Sequence, residues 1–119
     1  MISGEHKKIF KYERIAMKIS QLFNVSGKVA IVTGGSRGIG EMIAAGLLAN
    51  GVKVYITARK EAALIEKAKE LSDKYECECI PVPCDLSAME GMTNFVNFIE
   101  SNEKHIDFLI NNAGASWGE

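Results

Sequence analysis

The stretch "KVAIVTGGSRGIG", residues 28–40, decides the fold. Its first half is a nearly continuous β-branched apolar run, the pattern of a strand covered on both faces. Its second half packs four glycines into eight positions. Glycine at that density loses backbone entropy on folding, so the chain must need positive φ or very close backbone approach there. Beyond the last glycine Ile39, Ile43 and Leu47 recur at helical spacing, and Asn50-Gly51 supplies a stop signal.

The same rhythm continues outward. "VKVYIT" (52–57) is a second predicted strand, and Leu64, Ala68, Leu71 and Tyr75 mark a second helix. "CECIPV" (77–82) follows as a third strand whose end Pro81 confines to an edge or a bulge. Ser87 and Glu90 fit a capping box ahead of a third helix whose expected buried face is Met89, Met92, Val96 and Ile99. "IDFLI" (106–110) is the fourth strand. Alternation of this kind predicts an α/β fold with a parallel sheet and right-handed crossovers. In the doubly wound version strands 2 and 3 build out on one side of strand 1 and strand 4 lies on the other. A crevice then opens where the order reverses.

Bulk properties narrow the function. The chain has 119 residues, 47% hydrophobic and 24% charged, enough for a core. Its net charge of -1 gives no reason to expect nucleic acid or an anionic membrane as partner, and no apolar run is long enough to span a bilayer. Residues 1–22 carry five cations against Glu5 and Glu13, a balance of +3 that leaves -4 on the remainder. Residues 1–24 are expected to form a poorly ordered basic extension ahead of a domain over 25–119. A lysine-rich segment with two acids is a poor mitochondrial presequence, and Met17 offers an alternative start. Cys77, Cys79 and Cys84 are an odd set, expected to be free thiols in a reducing, cytoplasmic setting. The weaker alternative, a zinc site, lacks ligand spacing.

A strand that enters a glycine-rich turn and then a helix suits a phosphate, because the helix start presents unpaired N–H groups and partial positive charge. Gly34 permits the turn, Gly38 removes a Cβ where a pyrophosphate would approach, and Gly40 lets the helix pack close. The bland alternative is a turn that only reverses the chain. No lysine follows Gly40, so an ATP-cleaving P-loop is excluded and a dinucleotide expected. At the end of the second strand an acid would hold the ribose hydroxyls of NAD. Here Ala58, Arg59 and Lys60 stand instead. A neutral residue beside a guanidinium suits a 2′-phosphate, and Arg37 can close on it from the loop, so NADP(H) is favoured over NAD. Arg59 as an ordinary solvated charge is the alternative. Asp85, just past the third strand, can accept from an adenine amine or be a simple turn residue. Asn111-Asn112-Ala113-Gly114 leaves the fourth strand with two amides that can brace strands and two small residues that can lie against a ribose.

Together "TGGSRGIG", "CDL" and "NNAG" resemble the short-chain dehydrogenase/reductase family, from about Val25 to the end, and "GGSRGIGEMIA" and "NNAGASWG" especially resemble its NADPH-dependent 3-oxoacyl reductases of the rhamnolipid-pathway branch. The resemblance implies a Rossmann-like doubly wound parallel sheet, truncated here after the fourth strand. It implies cofactor roles for Gly34, Ser36, Arg37, Gly38, Ile39, Gly40, Arg59, Asp85, Leu86, Asn111, Asn112, Ala113 and Gly114. It also implies a small-molecule carbonyl substrate, and a homo-oligomer for a full-length form.

The family's catalytic Ser, Tyr-x-x-x-Lys pair and supporting Asn lie downstream of NNAG. None of the three tyrosines here fits: Tyr12 is followed four later by Ala16, Tyr55 by Arg59 and Tyr75 by Cys79. His105 precedes the fourth strand, at the end away from the crevice. The 119 residues are therefore expected to hold a hydride donor without transferring hydride. The alternatives are a non-catalytic nucleotide-binding module and an inactive remnant.

Overall fold

A computed structural model describes residues 24–112, so the basic opening segment, and with it nearly all of the expected extension, lies outside the described residues, as do Ala113 and Gly114. The order is β1 (Val29–Thr33), α1 (Gly38–Ala49), β2 (Lys53–Ala58), α2 (Glu61–Tyr75), β3 (Cys79–Pro83), α3 (Met89–Asn102) and β4 (Phe108–Asn111). The strands form one sheet in the order β3-β2-β1-β4, and every pairing is parallel. The expected reversal of order at β1 is therefore present.

Because both faces of β1 and β2 are covered, their alternate residues feed two different cores. Ala30, Val32, Val54 and Ile56 meet Ala44, Leu48, Leu64, Ala68 and Leu71 of α1 and α2. Ile31, Tyr55 and Val82 meet Phe95 and Ile99 of α3 on the opposite face. This explains why the strands read as apolar runs and not as alternating patterns. The second helix buries Leu64, Ala68 and Leu71 of the expected stripe with Tyr75 half-buried, and Gly51 after α1 has the positive φ, 82°, that its stop signal requires.

Three helix details differ from the sequence expectation. In α1 the sheet buries Gly40, Ala44 and Leu48, one position beyond the predicted stripe, and leaves Ile39 68% exposed. Small residues at positions 40 and 44 let the helix approach closely, so its nearest stripe is the small one. In α3, Phe95 and Ile99 are buried while Met89 is 81% exposed and Met92 and Val96 are also exposed. Gly91 fixes that rotation, because a Cβ there would sit 2.9 Å from the Asp85 carbonyl carbon and closer to its oxygen. The capping box does not form. Ala88 is the N-cap, and Ser87 turns back to donate its Oγ and N–H to Asp85 Oδ1, at 2.5 and 3.0 Å. The carboxylate two residues away outcompetes the helix start for that hydroxyl.

β4 begins at Phe108, two residues later than expected, because Asp107 takes over the ladder with its side chain. Its Oδ2 accepts from Val29 N–H at 2.9 Å, while its own N–H donates to Val29 O at 2.9 Å. β3 likewise starts at Cys79, two residues late, with Cys77 donating its thiol to Val52 O at 3.2 Å. Pro81 does lie on an edge strand, opposite Ile56.

At the end of the sheet remote from the crevice, Tyr55 is 1% exposed and donates its phenol to Glu103 Oε2, which also meets Lys53 Nζ at 2.6 Å. This joins the end of α3 to β2. The Lys53 ammonium, then the Tyr55 hydroxyl, hold the Glu103 carboxyl below the usual carboxylate range. Burial, then the bond to Glu103, push Tyr55 up to about 12. A depressed acid stabilises the fold above its unfolded pKa and is lost as pH falls through the folded one. A raised phenol stabilises below about 10 and is lost as pH climbs towards about 12. Glu103→Gln is expected to destabilise the protein by about 1–2 kcal/mol at neutral pH. Its thermal melts should converge with wild type in acid, as pH falls through the depressed Glu103 pKa. Equal differences across that pH range would contradict the account.

Candidate functional site

The loops after β1 and β4 emerge side by side, since those strands pair from Ala30↔Phe108 to Thr33↔Asn111. Thr33, the last residue of β1 and 4% exposed, ties them together. Its Oγ1 donates to Asn111 Oδ1 at 3.0 Å and accepts from the Asn112 N–H at 2.8 Å. Asn112 Nδ2 donates in turn to Gly34 O at 3.4 Å. The two asparagines therefore brace the glycine loop against β4.

The four glycines divide into two kinds. Gly34 and Gly38 have positive φ, 68° and 60°, which only glycine adopts readily. A Cβ on Gly38 would meet nothing within 4 Å, so its open side is available to a ligand. Gly35 and Gly40 are glycines for the protein's own sake. A Cβ on Gly35 would sit 2.5 Å from Ile56 Cγ2, and one on Gly40 2.8 Å from Asn112 Nδ2 and 2.9 Å from the Gly34 carbonyl carbon. The sequence motif thus makes room partly for a phosphate and partly for β2 and its own loop. No described side chain caps α1, whose N-cap is the extended Arg37, so its first amides face the loop.

Beside this loop lies an open depression of about 520 Å³, lined by Ser36, Arg37, Ala58, Arg59 and Lys60 among others. Arg37 arrives from the loop before α1 and Arg59 from the turn before α2, so the two guanidiniums approach from separate elements. Ala58 between them brings no charge. On the other flank the Cys84 N–H donates to Ala58 O at 3.0 Å, and this sets Asp85 beside the end of β2. The Ser87 hydroxyl, then the Ser87 N–H, hold the Asp85 carboxyl below its ordinary range, and the Arg59 charge adds to this. Asp85 is thus an ionised acceptor. Leu86 packs towards the α3 side of the core, and Ile39 stands exposed at the start of α1.

Cys79 and Cys84 are poor nucleophiles here. Burial, with Cys77 nearby, pushes Cys79 up to about 12, and burial with Asp85 raises Cys84. Among the described residues no group of three His, Cys, Asp or Glu is placed to hold a metal, and no helix is long and apolar enough to cross a membrane. His105 lies 3.7 Å from Asp107, before β4 and remote from the crevice.

Sequence reasoning missed Thr33, Gly35 and Gly91. Thr33 could have been noticed as the hydroxyl closing an otherwise apolar strand, whereas the neighbours of Gly35 and Gly91 are visible only in the fold. Gly91→Ala is expected to push the Asp85 turn off α3 and weaken dinucleotide binding about fivefold, through a lost contact of about 1 kcal/mol. Isothermal titration with NADPH measures this, and an unchanged affinity would dissociate Asp85 from the site.

A parallel β3-β2-β1-β4 sheet whose first strand enters a glycine turn at the order reversal defines a Rossmann-like nucleotide-binding protein. The family model described as short chain dehydrogenase matches residues 28–119, and the chain belongs to that family. It is 45% identical over 96 residues to the rhamnolipids biosynthesis 3-oxoacyl-[acyl-carrier-protein] reductase of Pseudomonas aeruginosa, covering 81% of this chain and 37% of that protein. It is 41% identical over 101 residues to a fatty acyl-CoA reductase of Acinetobacter baylyi, covering 83% and 34% respectively.

Among solved structures, the Pseudomonas aeruginosa RhlG/NADP active-site complex matches with a TM-score of 0.71 and 42% identity, over 76% of this chain and 36% of that one. The L-sorbose reductase of Gluconobacter frateurii, complexed with NADPH and L-sorbose, matches with a TM-score of 0.75 and 36% identity, over 81% and 36%. The chain spans about a third of the length of these relatives.

Proposed function

We propose that the chain is the NADP(H)-binding portion of a short-chain dehydrogenase/reductase that reduces a small carbonyl substrate, of the 3-oxoacyl kind, by hydride transfer. The observation that carries this is the pairing of Arg37 and Arg59 around a neutral Ala58, in one depression beside the glycine loop. Gly34, Ser36, Gly38, Ile39 and Gly40 would form the pyrophosphate cradle at the start of α1, where free amides and the helix dipole favour an anion. Arg37 and Arg59 would hold the 2′-phosphate, a fork geometry that suits it.

Asp85 would accept from the adenine amine, with Leu86 beneath that turn. Asn111 and Asn112, continuing into Ala113 and Gly114, would carry the ribose on the nicotinamide side. The bound cofactor supplies the hydride. What these residues do is hold and orient it, and the carbonyl must be protonated by a group elsewhere. NADP-bound and NADPH-bound relatives support the cofactor assignment, and the reductase relatives support the reaction class.

The test has two arms. NADPH titrated into the 119-residue chain should bind and gain fluorescence without turnover. A longer version carrying the family's catalytic Ser and Tyr-x-x-x-Lys segment should oxidise NADPH when given short or acyl ketones. Absence of carbonyl-dependent oxidation across both ketone classes would sink the reductase reading. Failure to bind NADPH in either version would sink the cofactor reading.

A further inference from the structure

The depression that holds Arg37 and Arg59 has a second, charged wall. Its lining includes Lys60, Glu66, Lys67 and Glu70 in addition to the two arginines. Glu66 and Glu70 stand exposed on α2, with Lys67 half-buried between them. The Lys67 ammonium pairs with Glu41 from α1 and with Glu70 at 3.0 Å. Two carboxylates thus converge on one ammonium, and a third, Glu66, shares the wall. A phosphate dianion entering the depression feels this wall as well as the guanidiniums, because Coulomb interactions persist over the width of such a site. Stripped of Lys67, the wall would set Glu66 and Glu70 against the incoming phosphate, with Glu41 left uncompensated behind them.

The geometry points to Lys67 as a specificity-determining residue, the ammonium that neutralises the acidic wall of the 2′-phosphate pocket, with Glu70 as the opposing charge that limits the preference for a phosphorylated ribose. This rests on the NADP(H) reading above. The hydrogen bonds that Lys67 donates to Glu41 and Glu70 raise its pKa, so its charge stays on at any pH where the protein would be assayed. A merely structural bridge between α1 and α2 would make losses that are the same for NADPH and NADH. An electrostatic role makes effects on NADPH alone, with opposite signs for Lys67 and Glu70.

Fluorescence titrations of the purified protein with NADPH and with NADH, at ionic strengths of about 0.05 and 0.3 M, test this. Lys67→Met is expected to weaken NADPH about fivefold, and Glu70→Gln to tighten it about threefold, from one charge acting on a dianion across a partly solvated gap. NADH affinity should be unchanged in both, and both effects should shrink at the higher ionic strength. Thermal melts accompany each variant. If Lys67→Met does not fold, the gain in Glu70→Gln carries the test alone. Parallel losses for both dinucleotides, or no change in NADPH affinity, would overturn the role of Lys67. A wild-type protein that binds NADPH no better than NADH would instead overturn the reading beneath it, and the proposal with it.

Discussion

Gly40→Ala is expected to lower stability by about 2–3 kcal/mol, the range for inserting a methyl where no room exists. Dinucleotide affinity should fall tenfold to a hundredfold as well. The new Cβ would be driven into the Gly34 carbonyl and within 2.8 Å of Asn112 Nδ2. Neither neighbour can yield cheaply. Gly34 is anchored by its N–H to Thr57 O at 2.9 Å, and Asn112 by its N–H to Thr33 Oγ1 at 2.8 Å. The helix must move outward or the loop must break its braces, and in either case the amides at the start of α1 leave the position a pyrophosphate requires.

Gly38→Ala is the informative control. It meets nothing within 4 Å, so its φ of 60° should cost only about 1–2 kcal/mol of backbone strain. Its effect on affinity should exceed its effect on the melt. A Gly40→Ala protein with wild-type melting and binding would mean that α1 does not pack on the loop as described.

That contrast also shows what a sequence can and cannot disclose about such a loop. Four glycines after an apolar strand announce a phosphate-binding turn, because the requirement is local and the residues that meet it are neighbours in the chain. Which glycine serves the ligand and which serves β2 depends on Ile56, more than twenty residues away. The helix faces fail for a related reason. In α1, Ile39, Ile43 and Leu47 make the more hydrophobic stripe, yet Gly40, Ala44 and Leu48 make the buried one. Periodicity weighs side-chain size, whereas close helix–sheet contact selects small residues. In α3 the choice between adjacent apolar stripes turns on where Gly91 presses against the Asp85 turn.

Strand order was legible only through the fold class, since the connection rules of parallel sheets leave few alternatives, and Pro81 marked an edge or a bulge without deciding between them. The braces made by Thr33 and by Tyr55 with Glu103 were not legible, since each joins residues 48 or more positions apart. Arg37 and Arg59 were singled out by their places in the glycine loop and at the end of the second strand, and by the acid that Ala58 replaces.

Ala58→Asp should produce the largest change in ligand choice, turning an NADPH-preferring site into one that prefers NADH. Ala58 ends β2 between the two arginines; its carbonyl accepts from the Cys84 N–H at 3.0 Å and the neighbouring Thr57 O from the Gly34 N–H at 2.9 Å, so the backbone here is held from both sides. A carboxylate here would meet a 2′-phosphate dianion at roughly 5 Å. With an effective dielectric near 50, that is a repulsion of about 2–3 kcal/mol, or roughly 30- to 150-fold in affinity. The same carboxylate can accept from both ribose hydroxyls of NADH, so affinity for that dinucleotide should rise a few-fold.

Arg59 and Arg37 will partly neutralise the new charge, and this sets the lower end of the range. The melt should move little, because position 58 is only half-buried and the new group gains two cationic neighbours. Parallel titrations with NADPH and NADH at low ionic strength provide the readout. If NADPH binding is untouched, the phosphate does not sit at the end of β2, and the two arginines must be serving something else.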